Sequence, residues 1–170
     1  MSTSTEQSFT HLAGLEHQAD EIVKRYPEGK QKSALLPLLH LVQAKDGWLR
    51  TEAMDELANY LNIQAIEVYE VASFYTMFHL KPVGKYVLEV CRTGPCCLVG
   101  AESIVQYLKH KLDIEIGETT ADGLFTLKTV ECLASCGTGP VLQIGPEYVY
   151  HENLNEEKLD QLIESLRSKS

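Results

Sequence analysis

Four cysteines arranged as two close pairs constrain this 170-residue chain more than any other feature of its sequence. Four residues separate Cys91 from Cys96, and three separate Cys132 from Cys136. Both pairs lie in stretches that are poor in charge and rich in small or turn-forming residues. Such stretches bend thiolates toward one point and expose backbone N–H groups to sulfur. The four thiols therefore form a candidate ligand set for metal.

Three chemistries compete for these thiols. Structural zinc most often takes cysteines two residues apart. A thiol–disulfide enzyme normally has two residues between its cysteines, and neither pair here does. A two-iron cluster needs only two thiolates at each iron, so each local pair can serve one iron. The spacing therefore favours a [2Fe–2S] cluster and leaves zinc and disulfide chemistry as alternatives.

The composition indicates a globular protein, and five cysteines without a secretory signal favour a reducing compartment, so we expect a cytoplasmic protein. Hydrophobic residues make up 44% of the chain, and the net charge is −9. A chain this acidic has no basic stripe to replace the counterions on phosphate, so we do not expect nucleic acid as a partner. The first residues have neither a basic leader nor an apolar core, and no run of about eighteen apolar residues occurs, so we expect no direct membrane insertion.

The chain changes character near Gly84, which predicts an α+β protein with two domains, 8–82 and 83–170. Before this point apolar residues recur at helical spacing, and we expect helices at about 8–26, 32–45, 51–61 and 65–79, with Thr51 as an N-cap. After it we expect strands at about 86–91, 125–131, 141–144 and 148–151, with helices at about 99–112 and 155–168, the latter capped by Asn155.

The position of the cysteines relative to the predicted strands is informative. Cys91 ends the first strand, and the pair Cys132 and Cys136 follows the second. A strand–helix–strand unit places its two strands side by side and parallel. Both ligand loops are therefore expected to emerge at the same edge of the sheet.

Three segments, together with both cysteine pairs, resemble a known family over about residues 8 to 168. They read SALLPLLHLVQ at 33–43, DGWL at 46–49 and EVYEVASFYTMF at 67–78. The chain is similar to the family of the 24 kDa subunit of respiratory NADH dehydrogenase, called the E subunit in bacteria. The resemblance implies a helical bundle followed by a thioredoxin-like ferredoxin domain, with one [2Fe–2S] cluster held by Cys91, Cys96, Cys132 and Cys136.

The resemblance also implies an electron carrier that works inside a larger enzyme. Its partner would be a flavin-bearing, NADH-oxidising subunit of the F type, which binds FMN and NADH. Through that subunit the chain would be peripheral, on the cytoplasmic side of the inner membrane. The sequence itself has no GxGxxG run and no nucleophile–base constellation, so we assign no catalytic residue and no NADH site to this chain.

Two alternatives to this function remain open. The same diaphorase module occurs in soluble NAD-linked hydrogenases and formate dehydrogenases. A protein of a different class, a zinc-binding scaffold subunit without a redox role, would also use four cysteines.

Other noticeable residues have structural interpretations. Cys97 stands where the family usually has no cysteine, and we expect a buried thiol that takes no part in ligation. His40 and His79 are expected to be structural. An aromatic stripe is expected to serve either the core or a partner contact; its members are Tyr69, Phe74, Tyr75 and Phe78.

Overall fold

The computed structural model describes residues 10–169. The chain divides into two compact units, one ending at Pro82 and the other beginning at Val83. The first is helical, and the second combines helices with a four-stranded sheet. This is the α+β fold class that the sequence predicts. Within residues 10–169, none of the helices combines the length and the apolar character that crossing a membrane requires.

Within residues 10–82, the first unit consists of four α-helices around one apolar core. Leu38, Leu57 and Val68 are completely buried in that core. Left-handed residues, Gly47 and Asn62, end the second and third helices, as is usual at helix C-termini. The helices are α1 Glu16–Val23, α2 Leu35–Asp46, α3 Thr51–Leu61 and α4 Ala65–Phe74, and a 3₁₀ turn over Gln31–Ala34 leads into α2.

The first predicted helix, 8–26, is too long at both ends. Residues 8 and 9 lie outside the described residues, and Gly14 has a left-handed backbone with φ +80° that interrupts any earlier start. Before Pro27 the chain tightens into turns in which Tyr26 N–H donates to Val23 O at 3.1 Å. Thr51 is also not the N-cap of its helix, because Arg50 occupies that position and Thr51 is the first helical residue.

The fourth predicted helix, 65–79, ends five residues early because tertiary hydrogen bonds replace helical ones. Tyr75 leaves the helical region at φ −89° and ψ 112°. The Gln43 side chain then accepts from His79 N–H at 2.7 Å and donates to Met77 O at 3.0 Å. Leu49 N–H donates to His79 O at 2.8 Å. The segment after Tyr75 is therefore held by Gln43 of α2 and by Leu49, which follows α2.

The second unit is built on a mixed sheet with strand order β2-β1-β3-β4. Strands β1 and β2 are parallel, as predicted, and β3 pairs antiparallel with both β1 and β4. The strands are β1 Tyr86–Cys91, β2 Phe125–Val130, β3 Leu142–Gly145 and β4 Val149–His151. The helices are α5 Gly94–Leu98, α6 Ala101–Leu112 and α7 Glu156–Ser168.

Helices α6 and α7 share one apolar core with the sheet. Alternate residues of β1, Leu88 and Val90, meet Leu108 of α6 and Leu159 of α7 in this core, as the period of two in a strand requires. The Asn155 side chain accepts from Lys158 N–H at 2.9 Å, which confirms the predicted cap of α7.

Gly84 lies directly before β1 and against the backbone that enters β2. Its N–H donates to the Thr126 hydroxyl at 2.6 Å. A Cβ at this position would lie 2.9 Å from the carbonyl carbons of Leu124 and Phe125. Backbone atoms cannot rotate aside as the end of a flexible side chain can, so the position accepts only glycine without a local shift.

We expect Gly84→Ala to lower the free energy of unfolding by about 1–3 kcal/mol, the usual cost of overpacking. Urea denaturation of the full chain measures this change. Gly145→Ala is the matched control in the same sheet, because its Cβ would meet neighbours only at 3.8 Å and 3.9 Å. Equal losses of stability in the two variants would contradict the steric explanation.

Candidate metal centre

The parallel pairing of β1 and β2 brings the two cysteine loops to one edge of the sheet. Cys91 is the last residue of β1 and is in register with Val130, the last residue of β2. Arg92 N–H donates to Val130 O at 3.0 Å, and Cys91 N–H donates to Val141 O at 3.1 Å. Cys132 follows two residues after Val130, so both loops leave the sheet at the same level.

The first pair is positioned by α5, a short helix that the sequence analysis missed. Pro95 stands in the first turn of this helix, a position that proline favours. Cys96 faces inward, and both Cys91 and Cys96 are 1% exposed. Cys97 N–H donates to Thr93 O at 3.0 Å, which holds the turn between Cys91 and the helix.

Cys97 is exposed, so the expectation of a buried thiol is wrong. Adjacent residues on a helix point about 100° apart, so burying Cys96 turns Cys97 outward. Its sulfur lies 3.1 Å from Arg92 O. Interaction with Cys91 raises the pKa of Cys96, and interaction with Cys132 raises the pKa of Cys136. The assignment of Cys97 as a thiol outside the ligand set stays a prediction.

The second pair lies in irregular backbone after β2. Cys132 and Cys136 are both exposed, and Cys136 begins a 3₁₀ turn over Cys136–Thr138. Ala134, between the two cysteines, has a left-handed backbone with φ +59°. This bend directs the Ala134 N–H to the Cys132 sulfur at 3.3 Å.

The end of the second loop packs directly on the first. A Cβ on Gly139 would lie 3.0 Å from Cγ2 of Val99 and 3.3 Å from the Cys96 sulfur. The Val141 N–H also donates to the Cys96 sulfur. Cys96 is therefore enclosed by the chain that follows Cys136, and the two cysteine loops form one site.

Burial and hydrogen bonds shift the pKa values of Cys91, Cys96 and Cys136. Burial raises the pKa of the Cys91 thiol, but donation from the Thr93 hydroxyl and from the Thr93 and Leu133 N–H groups outweighs burial, and the net pKa is lowered. Burial, together with donation to Cys91 and the charge on that residue, raises the pKa of Cys96 to about 11. A hydrogen bond shared with Cys132 raises the pKa of Cys136.

The two pairs interact electrostatically, since the charge on Cys91 raises the pKa of Cys136 and the charge on Cys136 raises the pKa of Cys96. Among residues 10–169, no group of three or more histidine, cysteine, aspartate or glutamate side chains lies close enough together to hold a metal ion. Two thiols at each of two irons is the arrangement of a [2Fe–2S] cluster. The pairs, with N–H donors to three of their sulfurs, fit that cluster.

The sequence predicts backbone N–H donors in both cysteine loops but not which residues supply them, and it does not predict the donation by Thr93. The Thr93 hydroxyl lies 3.2 Å from the Cys91 sulfur, and the Cys91 thiol itself donates to Glu131 O at 3.0 Å. A hydroxyl residue two positions after the first cysteine is the one signal that the sequence contains. The N–H donors of Leu133 and Val141 carry no sequence signal, because every residue except proline has such a group.

The histidines and the aromatic stripe lie in the first unit. His79 is buried, and half-buried His40 packs its ring on Phe78 with centroids 4.9 Å apart. Phe78 is 5% exposed and belongs to the core, whereas Phe74 is 77% exposed and Tyr75 38% exposed. The stripe therefore divides between the core and the surface.

The fold and the paired thiols define a class of protein: a small α+β domain that holds a metal cluster between two loops at one edge of its sheet. Comparison with known families identifies the particular family. The chain belongs to the thioredoxin-like [2Fe–2S] ferredoxin family, whose profile matches residues 19–167. Membership assigns the chain a [2Fe–2S] cluster.

Two relatives are similar to this chain over most of their length. The chain is 47% identical over 147 residues to the E subunit of NADH-quinone oxidoreductase from Rickettsia prowazekii (strain Madrid E), covering 86% of this chain and 82% of the relative. It is 43% identical over 144 residues to the E 2 subunit of NADH-quinone oxidoreductase from Rhizobium meliloti (strain 1021), covering 85% and 83%.

A solved structure shares the fold. The crystal structure of NAD+-reducing [NiFe]-hydrogenase in the air-oxidised state matches with a TM-score of 0.69 and 23% identity over 79% of this chain. The match covers 23% of the hydrogenase chain, so this likeness concerns the fold alone.

We expect Cys96→Ser to abolish or strongly perturb the cluster, because it removes an enclosed thiol of the first pair. Cys97→Ser should leave the visible and electron paramagnetic resonance (EPR) spectra nearly unchanged and serves as the matched control one residue away. Loss of the cluster only in Cys97→Ser would overturn the ligand assignment.

We expect Thr93→Val to lower the midpoint potential of the cluster by about 40 mV, or about 1 kcal/mol for one electron. Valine keeps the size and the backbone N–H but removes the hydroxyl that stabilises negative charge on Cys91. An EPR-monitored redox titration measures the shift, with Thr51→Val in the first unit as control. An unchanged or raised potential would contradict this role of the hydroxyl.

Proposed function

We propose that this chain is the [2Fe–2S] electron-transfer subunit, of the E type, of an NADH-quinone oxidoreductase. We further propose that Cys91, Cys96, Cys132 and Cys136 ligate the cluster. The observation that carries this proposal is the meeting of two thiol pairs at one sheet edge, in a chain that is 47% identical to the E subunit of such an enzyme.

The residues around the thiols have definite tasks in this function. When bound, the cluster supplies one-electron redox chemistry. The thiolates hold iron, and the N–H groups of Leu133, Ala134 and Val141 spread the negative charge on sulfur. Burial of Cys91 and Cys96 excludes water from one side of the site.

The chemistry of NADH belongs, in this proposal, to a partner. A flavin-bearing subunit of the F type binds FMN and NADH, and this chain exchanges one electron with its flavin. The chain reaches the larger respiratory complex through that subunit and is peripheral on the cytoplasmic side of the inner membrane. Relatives named as subunits of one oxidoreductase support an assembly of several chains.

A second host complex is favoured by one observation. The fold likeness to an NAD+-reducing [NiFe]-hydrogenase is consistent with the same electron carrier in a soluble hydrogenase. The chain would carry one electron at a time in both hosts, but the electrons would come from hydrogen and go to NAD+ in the hydrogenase, and would come from NADH and go to quinone in the respiratory enzyme. The identity to relatives of the E type over most of both chains makes the respiratory enzyme the better-supported host.

Metal and sulfide analysis of the anaerobically purified chain tests the proposed function. We expect about two irons and two acid-labile sulfides per chain, with no EPR signal when oxidised and a spin-half signal after dithionite reduction. Zinc at about one per chain, without sulfide even after anaerobic reconstitution, would instead indicate the zinc-binding scaffold.

The host complex is distinguished in the same experiment when the chain carries an affinity tag in its native cell. Flavin and NADH-dependent quinone reduction should co-purify with the tagged chain. Nickel and hydrogen-dependent NAD+ reduction in the purified complex would identify the hydrogenase instead.

A further inference from the structure

Glu152, which is far in sequence from every cysteine, makes two side-chain contacts with the second cysteine loop. Its Oε1 atom accepts from the Thr138 hydroxyl at 2.6 Å and also from the Ser135 hydroxyl. Ser135 lies beside Cys136, and Thr138 ends the 3₁₀ turn that Cys136 begins. One carboxylate oxygen therefore accepts hydrogen bonds from residues that precede and follow Cys136 in the sequence.

The carboxylate is well suited to this task. Donation by the Ser135 and Thr138 hydroxyls lowers the pKa of Glu152, so the group is ionised at neutral pH and can only accept. Hydrogen bonds to an ionised acceptor are roughly twice as strong as those between neutral groups.

Backbone N–H groups of the two residues after Glu152 also donate hydrogen bonds to the second cysteine loop and the residues that follow it. Asn153 N–H donates to Thr138 O at 2.7 Å, and Leu154 N–H donates to Pro140 O at 3.1 Å. On its other side this segment is held by α7, because Lys158 Nζ donates to Asn153 O at 2.8 Å and to Glu152 O at 3.2 Å. The second cysteine loop is thus fastened to the first turn of a packed helix.

The second cysteine loop depends on hydrogen bonds from other segments more than the first cysteine loop does. Cys132 and Cys136 are exposed and lie in irregular backbone, whereas Cys91 ends a central strand and Cys96 is buried. Leu133 packs against the buried cluster of Cys91 and Cys96, but the cysteines on either side of it are exposed, so hydrogen bonds from neighbouring segments contribute to the position of the pair.

We propose that Glu152 is a positioning residue for the [2Fe–2S] cluster, which through Ser135 and Thr138 keeps Cys136 and Cys132 in the geometry that retains iron. This inference rests on the proposed function. In this inference, a side chain outside the cysteine loops controls how firmly the cluster is held.

The test compares three variants of the full chain carrying its cluster. Glu152→Ala removes both hydrogen bonds. Glu152→Gln removes the charge but keeps the oxygen atom Oε1 that accepts them. Glu147→Ala removes an exposed glutamate from the turn at the other end of β4 and is the matched control. The first measurement is the rate at which an iron chelator bleaches the visible spectrum, and the second is the midpoint potential.

We expect Glu152→Ala to release iron about tenfold faster than the wild type, the lower end of the usual cost of losing a residue that supports a metal ligand. Glu147→Ala should release iron at the wild-type rate, and Glu152→Gln should release it at a rate between those of the wild type and Glu152→Ala, because its neutral oxygen accepts weaker hydrogen bonds. The midpoint potential of Glu152→Ala should lie below that of Glu152→Gln. Both variants lack the charge, so the difference reports the loosened loop and its weaker N–H donation to sulfur.

Equal release rates for Glu152→Ala and Glu152→Gln would overturn the inference, as would equally fast release from Glu147→Ala. A thermal unfolding midpoint lowered enough to account for the faster release would also overturn it, since the effect would then be one of global stability. A wild-type chain without iron and sulfide would refute the proposed function itself, which is a separate result.

Discussion

The parallel pairing of β1 with β2 is the interaction on which the rest of the site depends. It fixes the ends of both strands at the same level through the register of Cys91 with Val130. Leu88 and Leu127 of these strands are buried in the core that α6 and α7 complete. The same burial that stabilises the unit thus also brings two distant parts of the sequence together, and no contact between the thiols is needed to form the sheet.

Each cysteine pair is held by a different kind of structure. Regular structure holds the first pair, since a central strand carries Cys91 and a short helix turns Cys96 inward. Hydrogen bonds from elsewhere hold the second, since its backbone belongs mainly to a loop and a 3₁₀ turn. The site therefore combines a pair held by regular structure with a pair held by polar contacts, and those contacts come from the Glu152 side chain and from backbone groups of residues that are not candidate ligands.

The strands and the site topology could be predicted from the sequence because their signals are local. Alternation and turn residues give the strands, and one strand–helix–strand unit gives parallel pairing. The early end of α4 could not be predicted, because Gln43 competes for its last turn from another helix. The exposure of Cys97 follows from α5, a helix of five residues that is too short to show periodicity. Apart from the Thr93 hydroxyl, the donors to sulfur are backbone N–H groups, which almost any sequence would supply.

The two cysteine pairs also differ in their contact with water. Cys91 and Cys96 are each 1% exposed, whereas Cys132 and Cys136 are open to solvent. Extra negative charge is stabilised better where water raises the local dielectric constant. If these four thiols hold the cluster as proposed, water would favour an added electron beside Cys132 and Cys136, whereas the hydrogen bonds that lower the pKa of Cys91 would favour it on the enclosed side. The fold would thus set exposure and hydrogen bonding against each other across the two halves of the centre.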